Sequence, residues 1–128
     1  QNSAPPPDFT EDLVIPSCEV DVATFNQAAT TSTETIDPTA ETRYYVRSIG
    51  AAKIHTITLS AVTIADEPCP ITIKRSDNNT NSTIRIQSGQ GIDGAAANRS
   101  SLGTSTAFGI QSGESVTLLF DGTTWRVI

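Results

Sequence analysis

The 128-residue chain has no methionine, two lysines, one histidine, one tryptophan and two cysteines, and only 17% of it is charged. Each shortage closes off a class of protein. Helical bundles need Ala, Leu, Glu and Lys on long amphipathic faces, and such faces are missing. No apolar run approaches the roughly 18 residues a membrane helix needs, so no membrane partner is expected. No basic stretch followed by an apolar one opens the chain, and no signal peptide is expected. A net charge of −6 and a pI near 4.5 argue against nucleic-acid binding, whose affinity comes largely from neutralising phosphates.

Catalytic and metal chemistry are equally short of material. The single histidine, His55, alternates with Ile57 and Leu59 and reads as a strand residue facing a core. Cys18 and Cys69 have no second histidine to complete a zinc set, and the sequence leaves open whether they pair. Of the carboxylate pairs, Asp93 and Asp121 fall in Gly-rich turns, where Asp is common for backbone reasons, and Asp66 and Glu67 are adjacent and point to opposite faces if extended. Gly89, Gly91 and Gly94 lack the lysine and following helix of a phosphate loop. The expectation is a non-enzyme with no catalytic residue, no metal site and no cofactor.

What the chain does have is threonine and serine. Nineteen Thr and thirteen Ser make up a quarter of it. With Val and Ile these favour a pleated backbone, and Gly, Asn and Asp mark the turns. Tyr44–Ile49, Ile54–Leu59, Ile71–Arg75, Thr83–Ile86, Thr106–Ile110, Ser115–Phe120 and Thr123–Ile128 read as short strands separated by turn signals. The predicted fold is all-β, an antiparallel sandwich or barrel-like (jelly-roll-like) body over residues 26–128. Tyr44 and Tyr45 are consecutive, so one of them faces away from the core.

The closing segment carries the strongest local signal. Asp121-Gly122 reads as a two-residue type I′ turn. That register sets Phe120 opposite Thr123, Leu118 opposite Trp125 and Val116 opposite Val127, and puts Val116, Leu118, Phe120, Trp125 and Val127 on one apolar face.

The first 25 residues read differently. Pro5, Pro6 and Pro7 cannot donate to a sheet and favour an extended backbone. Phe9, Leu13, Val14 and Ile15 then offer apolar anchors. Residues 1–42 hold eight acids and no base, a charge of −8, against +2 for residues 43–128. The expectation is an extended acidic arm over residues 1–25 that docks on a partner.

The order of elements in the second half carries a resemblance. Ile71-Thr72-Ile73-Lys74, a polar turn, Thr83-Ile84-Arg85-Ile86, Gly91-Ile92-Asp93-Gly94, Ser115-Val116-Thr117-Leu118 and Asp121-Gly122-Thr123-Thr124-Trp125-Arg126-Val127-Ile128 together resemble a β-rich module of tailed-bacteriophage virion proteins. Tail fibres, head fibres and capsid decoration (cement) proteins carry such modules. The resemblance spans residues 71–128 and implies a structural role on the outer surface of a virion, commonly as a homotrimer. The chain's small size and its terminal arm favour a decoration protein bound to the major capsid protein or another virion protein. A head-fibre or tail-fibre module in host attachment is the alternative, and a carbohydrate-binding module that takes a glycan is the third reading.

Overall fold

A computed structural model of the protein describes Cys18, residues 20–93 and residues 107–128. Among the described residues ten strands form two sheets, which face each other as a sandwich and do not close into a barrel. The first six strands alternate strictly between the sheets. β1 (Val22–Gln27), β3 (Arg43–Ser48) and β5 (Ile71–Arg75) lie side by side in sheet A, while β2 (Thr31–Ile36), β4 (Ile54–Leu59) and β6 (Thr83–Ser88) lie side by side in sheet B. Each connection therefore arches across the interior, and same-sheet neighbours run parallel and in register: Val22 beside Arg43, Arg43 beside Thr72, Thr31 beside Ile54, Ile54 beside Thr83.

The remaining strands turn this winding back on itself. β8 (Ala107–Ile110) pairs antiparallel with β6, and β9 (Ser115–Phe120) pairs antiparallel with β5. β10 (Trp125–Val127) lies between β9 and the two-residue β7 (Ile92–Asp93). The all-β sandwich read from the sequence is present, with mixed sheets in place of antiparallel ones. The parallel pairing follows from the connections: the arch at residues 49–53, with Gly50 and Ala52 at positive φ, carries the chain from one sheet to the other.

Strand alternation explains the core. Inward positions of sheet A supply Tyr44, Val46, Ile71, Ile73, Val116, Leu118, Phe120 and Trp125; those of sheet B supply Ile36, Ile57, Leu59, Ile84, Ile86 and Ile110, all buried. Complete burial of one such aliphatic side chain contributes roughly 1.5–3 kcal/mol. Phe120 and Trp125 meet with ring centroids 5.3 Å apart, and Phe25 stacks on Tyr44 at 6.1 Å.

Two details of the sequence reading need correction. The final hairpin is not closed by a two-residue turn: Trp125 sits opposite Phe120 and Val127 opposite Leu118, so four residues, Asp121 to Thr124, make the connection. Asp121 governs it, its Oδ1 accepting from the N–H groups of Thr123 and Thr124 at 2.9 Å each while its own N–H donates to the Thr124 carbonyl. The register moves by two residues, which preserves the face of every side chain, and Val116, Leu118, Phe120 and Trp125 are buried together with Val127 packed against them. The second correction is the boundary. Residues 22–25, assigned to the arm, open β1, with Ala23 and Phe25 packed against the core. The arm residues Pro5, Pro6, Pro7, Phe9, Leu13, Val14 and Ile15 lie outside the described residues. Cys18 and Cys69 form a disulfide that ties the chain ahead of β1 to the segment before β5.

Candidate functional site

Polar side chains gather at one end of the sandwich, where sheet A strands end and sheet B strands begin. Ser48 closes β3, Arg75 closes β5, His55 is the second residue of β4 and Ser32 the second of β2. Asp77, Asn79 and Ser82 come from the arch between β5 and β6. Strand parity turns Ser48, His55 and Arg75 inward, and with Asp77 and Ser82 they are buried.

Asp77 and Arg75 form its charged half. Arg75 Nε lies 3.2 Å from Asp77 Oδ2, and Arg75 Nη2 lies 3.2 Å from Oδ1. The carboxylate also accepts from the Ser48 N–H at 2.8 Å and the Asn79 N–H at 2.9 Å. The rest of the guanidinium donates to the carbonyls of Ile110, Asn79 and Ser82 at 2.8–3.0 Å. Burial by itself pushes the Asp77 carboxyl up, but the donors of Arg75, Ser48 and Asn79 outweigh it and hold the group below the usual carboxylate range.

His55 anchors the neutral half. Its Nδ1 lies 2.7 Å from Ser32 Oγ and its Nε2 lies 3.3 Å from Ser48 Oγ. Ser48 Oγ in turn meets Ser82 Oγ at 3.1 Å, and Ser82 Oγ meets the Gly50 carbonyl at 3.0 Å and the Lys53 N–H at 3.1 Å. With one proton per hydroxyl, most bonds form when Ser82 donates to Gly50, Ser48 to Ser82, His55 Nε2–H to Ser48, and Ser32 to Nδ1. That assigns the neutral Nε2–H tautomer. Burial, followed by the Lys53 charge, keeps the imidazole below its ordinary pKa and so neutral, with Asp77 acting weakly in the opposite sense.

Ser32 and His55 thus form a hydroxyl–imidazole contact with the outline of a nucleophile and its base. The third member of such an arrangement would be a carboxylate on the far nitrogen, and there His55 meets the Ser48 hydroxyl. Asp77 is committed to Arg75 and to backbone N–H groups. The cluster is built as a clamp, joining β2, β3, β4, β5 and the arch before β6 through bonds that are nearly all internal.

The other candidates from the sequence sit apart from it. Asp66 lies in the short 3₁₀ turn Ile64–Asp66 and caps it, its Oδ2 accepting from the Thr63 N–H at 2.7 Å. Asp121 is held at about 2 by the N–H groups of Thr124 and Thr123 and by Arg126, whose Nε is 2.6 Å from Oδ2. Asp93, at the end of β7, pairs in register with Arg126. Among the described side chains, neither Asp66 nor Asp121 joins His55. The sequence reading passed over Arg75 and Asp77, yet a signal was present: Arg75 follows Ile71 and Ile73 on the same strand face, and a cation on an apolar face needs a buried anion.

Neither a scan of protein-family models nor searches of curated proteins and of solved structures finds a match to this chain.

Proposed function

We propose that the protein is a structural, non-catalytic component of a virion: a decoration protein that assembles as a homotrimer on the outer surface of a phage head. The observation that carries the structural part is the closure of the buried polar cluster on itself. Its one imidazole, its one ion pair and its hydroxyls spend their bonding capacity on one another and on backbone, as a framework does. Support for assembly comes from the end of the winding. The outer edges of β1 and β2 meet no strand among the described residues, and two open edges at one end are a natural place for a neighbour to cover. The virion setting rests on the resemblance of residues 71–128. The same resemblance supports a fibre module as the second reading, and the solid, wound body suits either position.

An antibody raised against the protein, applied to particles of the phage that encodes it, tests the proposal by electron microscopy. Label over the head surface is the expected result. Label confined to the tail tip would move the protein to the fibre reading, and particles without label would overturn the virion role.

A further inference from the structure

The outer faces of the two sheets differ in charge. On sheet B the outward positions are mostly threonine, with Arg85 donating to Thr56 Oγ1. Sheet A concentrates cations. Arg43 and Arg47 point outward from β3, Lys74 points outward from β5, and no outward position of β1, β3, β5 or β9 is acidic. Arg43 and Arg47 are exposed and have no ion-pair partner among the described residues. Lys74 keeps its charge at the surface while its Nζ donates to the Gly113 carbonyl at 2.6 Å.

Tyr45, half-buried, stands in the middle of these cations. Along β3 it has Arg43 two residues before it and Arg47 two residues after, each about 7 Å away by strand rise. Across the sheet its register neighbours are Thr24 on β1 and Lys74 on β5, each about 4.8 Å away at the inter-strand spacing. An aromatic ring is therefore bracketed along β3 by two arginines on a parallel, in-register surface, with Lys74 on the next strand turning its ammonium toward Gly113 on the β9 side, and the flanking strands add hydroxyls and an amide (Thr24, Asn26, Thr72). This lies in a chain whose net charge is −6, and whose residues 43–128 alone carry +2.

We infer that this face binds a carboxylate-bearing polysaccharide, a chain of uronic-acid type. The ring of Tyr45 offers an apolar platform for the C–H face of one sugar. Carboxylates of the flanking sugars meet the planar forks of Arg43 and Arg47, which match a carboxylate bidentately. Lys74 adds a point charge from the side. Nucleic acid fits less well, because a single tyrosine and three cations offer few phosphate contacts on a protein that is acidic overall. The inference stands on sheet A alone and does not depend on the shell-decoration reading: a virion protein, a fibre module or a free binding module could each carry it.

Isothermal titration of the full chain with polygalacturonate oligomers at low salt tests it, with neutral dextran, heparin and duplex DNA as comparison ligands. Saturable binding to polygalacturonate that weakens as salt rises is expected, with none to dextran. The exposed double variant Arg43→Gln/Arg47→Gln should lower affinity by on the order of tenfold or more, Tyr45→Ala by about tenfold, and Tyr45→Phe by much less, because the ring rather than its hydroxyl makes the platform. An unchanged urea midpoint for each variant separates lost contacts from lost folding. No binding to polygalacturonate would overturn the proposal, and so would equal binding to all three polyanions with no effect of Tyr45→Ala. If the wild-type chain were silent and Asp8→Asn/Glu11→Gln/Asp12→Asn made it bind, the acidic leader would be the occupant of the face, and the polysaccharide would be dropped.

Discussion

Arg75 and Asp77 stand two residues apart and bury opposite charges where an ordinary sandwich would bury leucines. Removing one partner leaves the other uncompensated in a place that water does not reach. Asp77→Ala is expected to cost about 3–5 kcal/mol in urea unfolding, and Arg75→Met/Asp77→Ala less than Asp77→Ala alone, since the double change leaves no stranded charge. A double variant as unstable as the single would mean that the ion pair itself, and not the isolated charge, sets the cost. His55 makes a different demand. Its folded-state pKa lies below the unfolded value near 6.5, so acid protonates the unfolded chain first. Stability is therefore full above about pH 6.5 and falls as pH drops from there toward the folded pKa. Urea midpoints between pH 7.5 and 5 should decline for the wild type and flatten for His55→Gln. The lowered carboxyls of Asp77 and Asp121 act in a separate, more acidic window, below the ordinary value of 3.8. At Trp125 the indole N–H is buried without an acceptor among the described residues. Trp125→Ala should cost about 3–5 kcal/mol, whereas Trp125→Phe should cost clearly less, because it deletes the unsatisfied donor while keeping most of the ring.

Among the elements, the disulfide gives the simplest test. It joins residues 51 apart, and on the chain-entropy account a closed loop of that size stabilises by about 4 kcal/mol. Cys18→Ser or full reduction should lower unfolding stability toward that figure, and a change below about 1 kcal/mol would mean that the segment before β1 is held by other contacts or strained by the bridge. Much of the element list was legible. Period-two alternation located β3, β4, β5, β6 and β9, put His55 inward beside Ile57 and Leu59, and separated Tyr44 from Tyr45. Pairing was not legible, and the reason is physical. Gly50 or the Asp77–Asn81 segment announces that the chain reverses, but the same reversal closes a hydrogen-bonded hairpin or arches to an opposing sheet. Nothing local distinguishes the two, since the choice depends on which strands can pack across the core. The slip at Asp121 has a similar origin: Asp-Gly invites a two-residue turn, but the Asp121 carboxylate caps the N–H groups of Thr123 and Thr124 and lengthens the loop. Of the polar cluster, Arg75 was readable as a misfit on an apolar face. Ser48 and Ser82 were not, because serine at a strand end is ordinary until the arches bring the two within reach of His55.

At the scale of the molecule, the winding leaves two sheet edges open at one end among the described residues, a basic face on sheet A, and Cys18 fastened to Cys69 just before β5. If the leader attaches the protein to a shell, deletion of residues 1–16 should abolish binding to empty shells while leaving the body's fold and association unchanged, as read by co-sedimentation and circular dichroism. Retained binding at several salt concentrations would assign attachment to the β body. The proposal that this chain works as a homotrimeric assembly component is tested most directly by the mass of the purified protein in solution. Sedimentation velocity at micromolar concentration should give a species of three times the 13.5 kDa chain mass. A monomer that stays a monomer across that range would contradict the account.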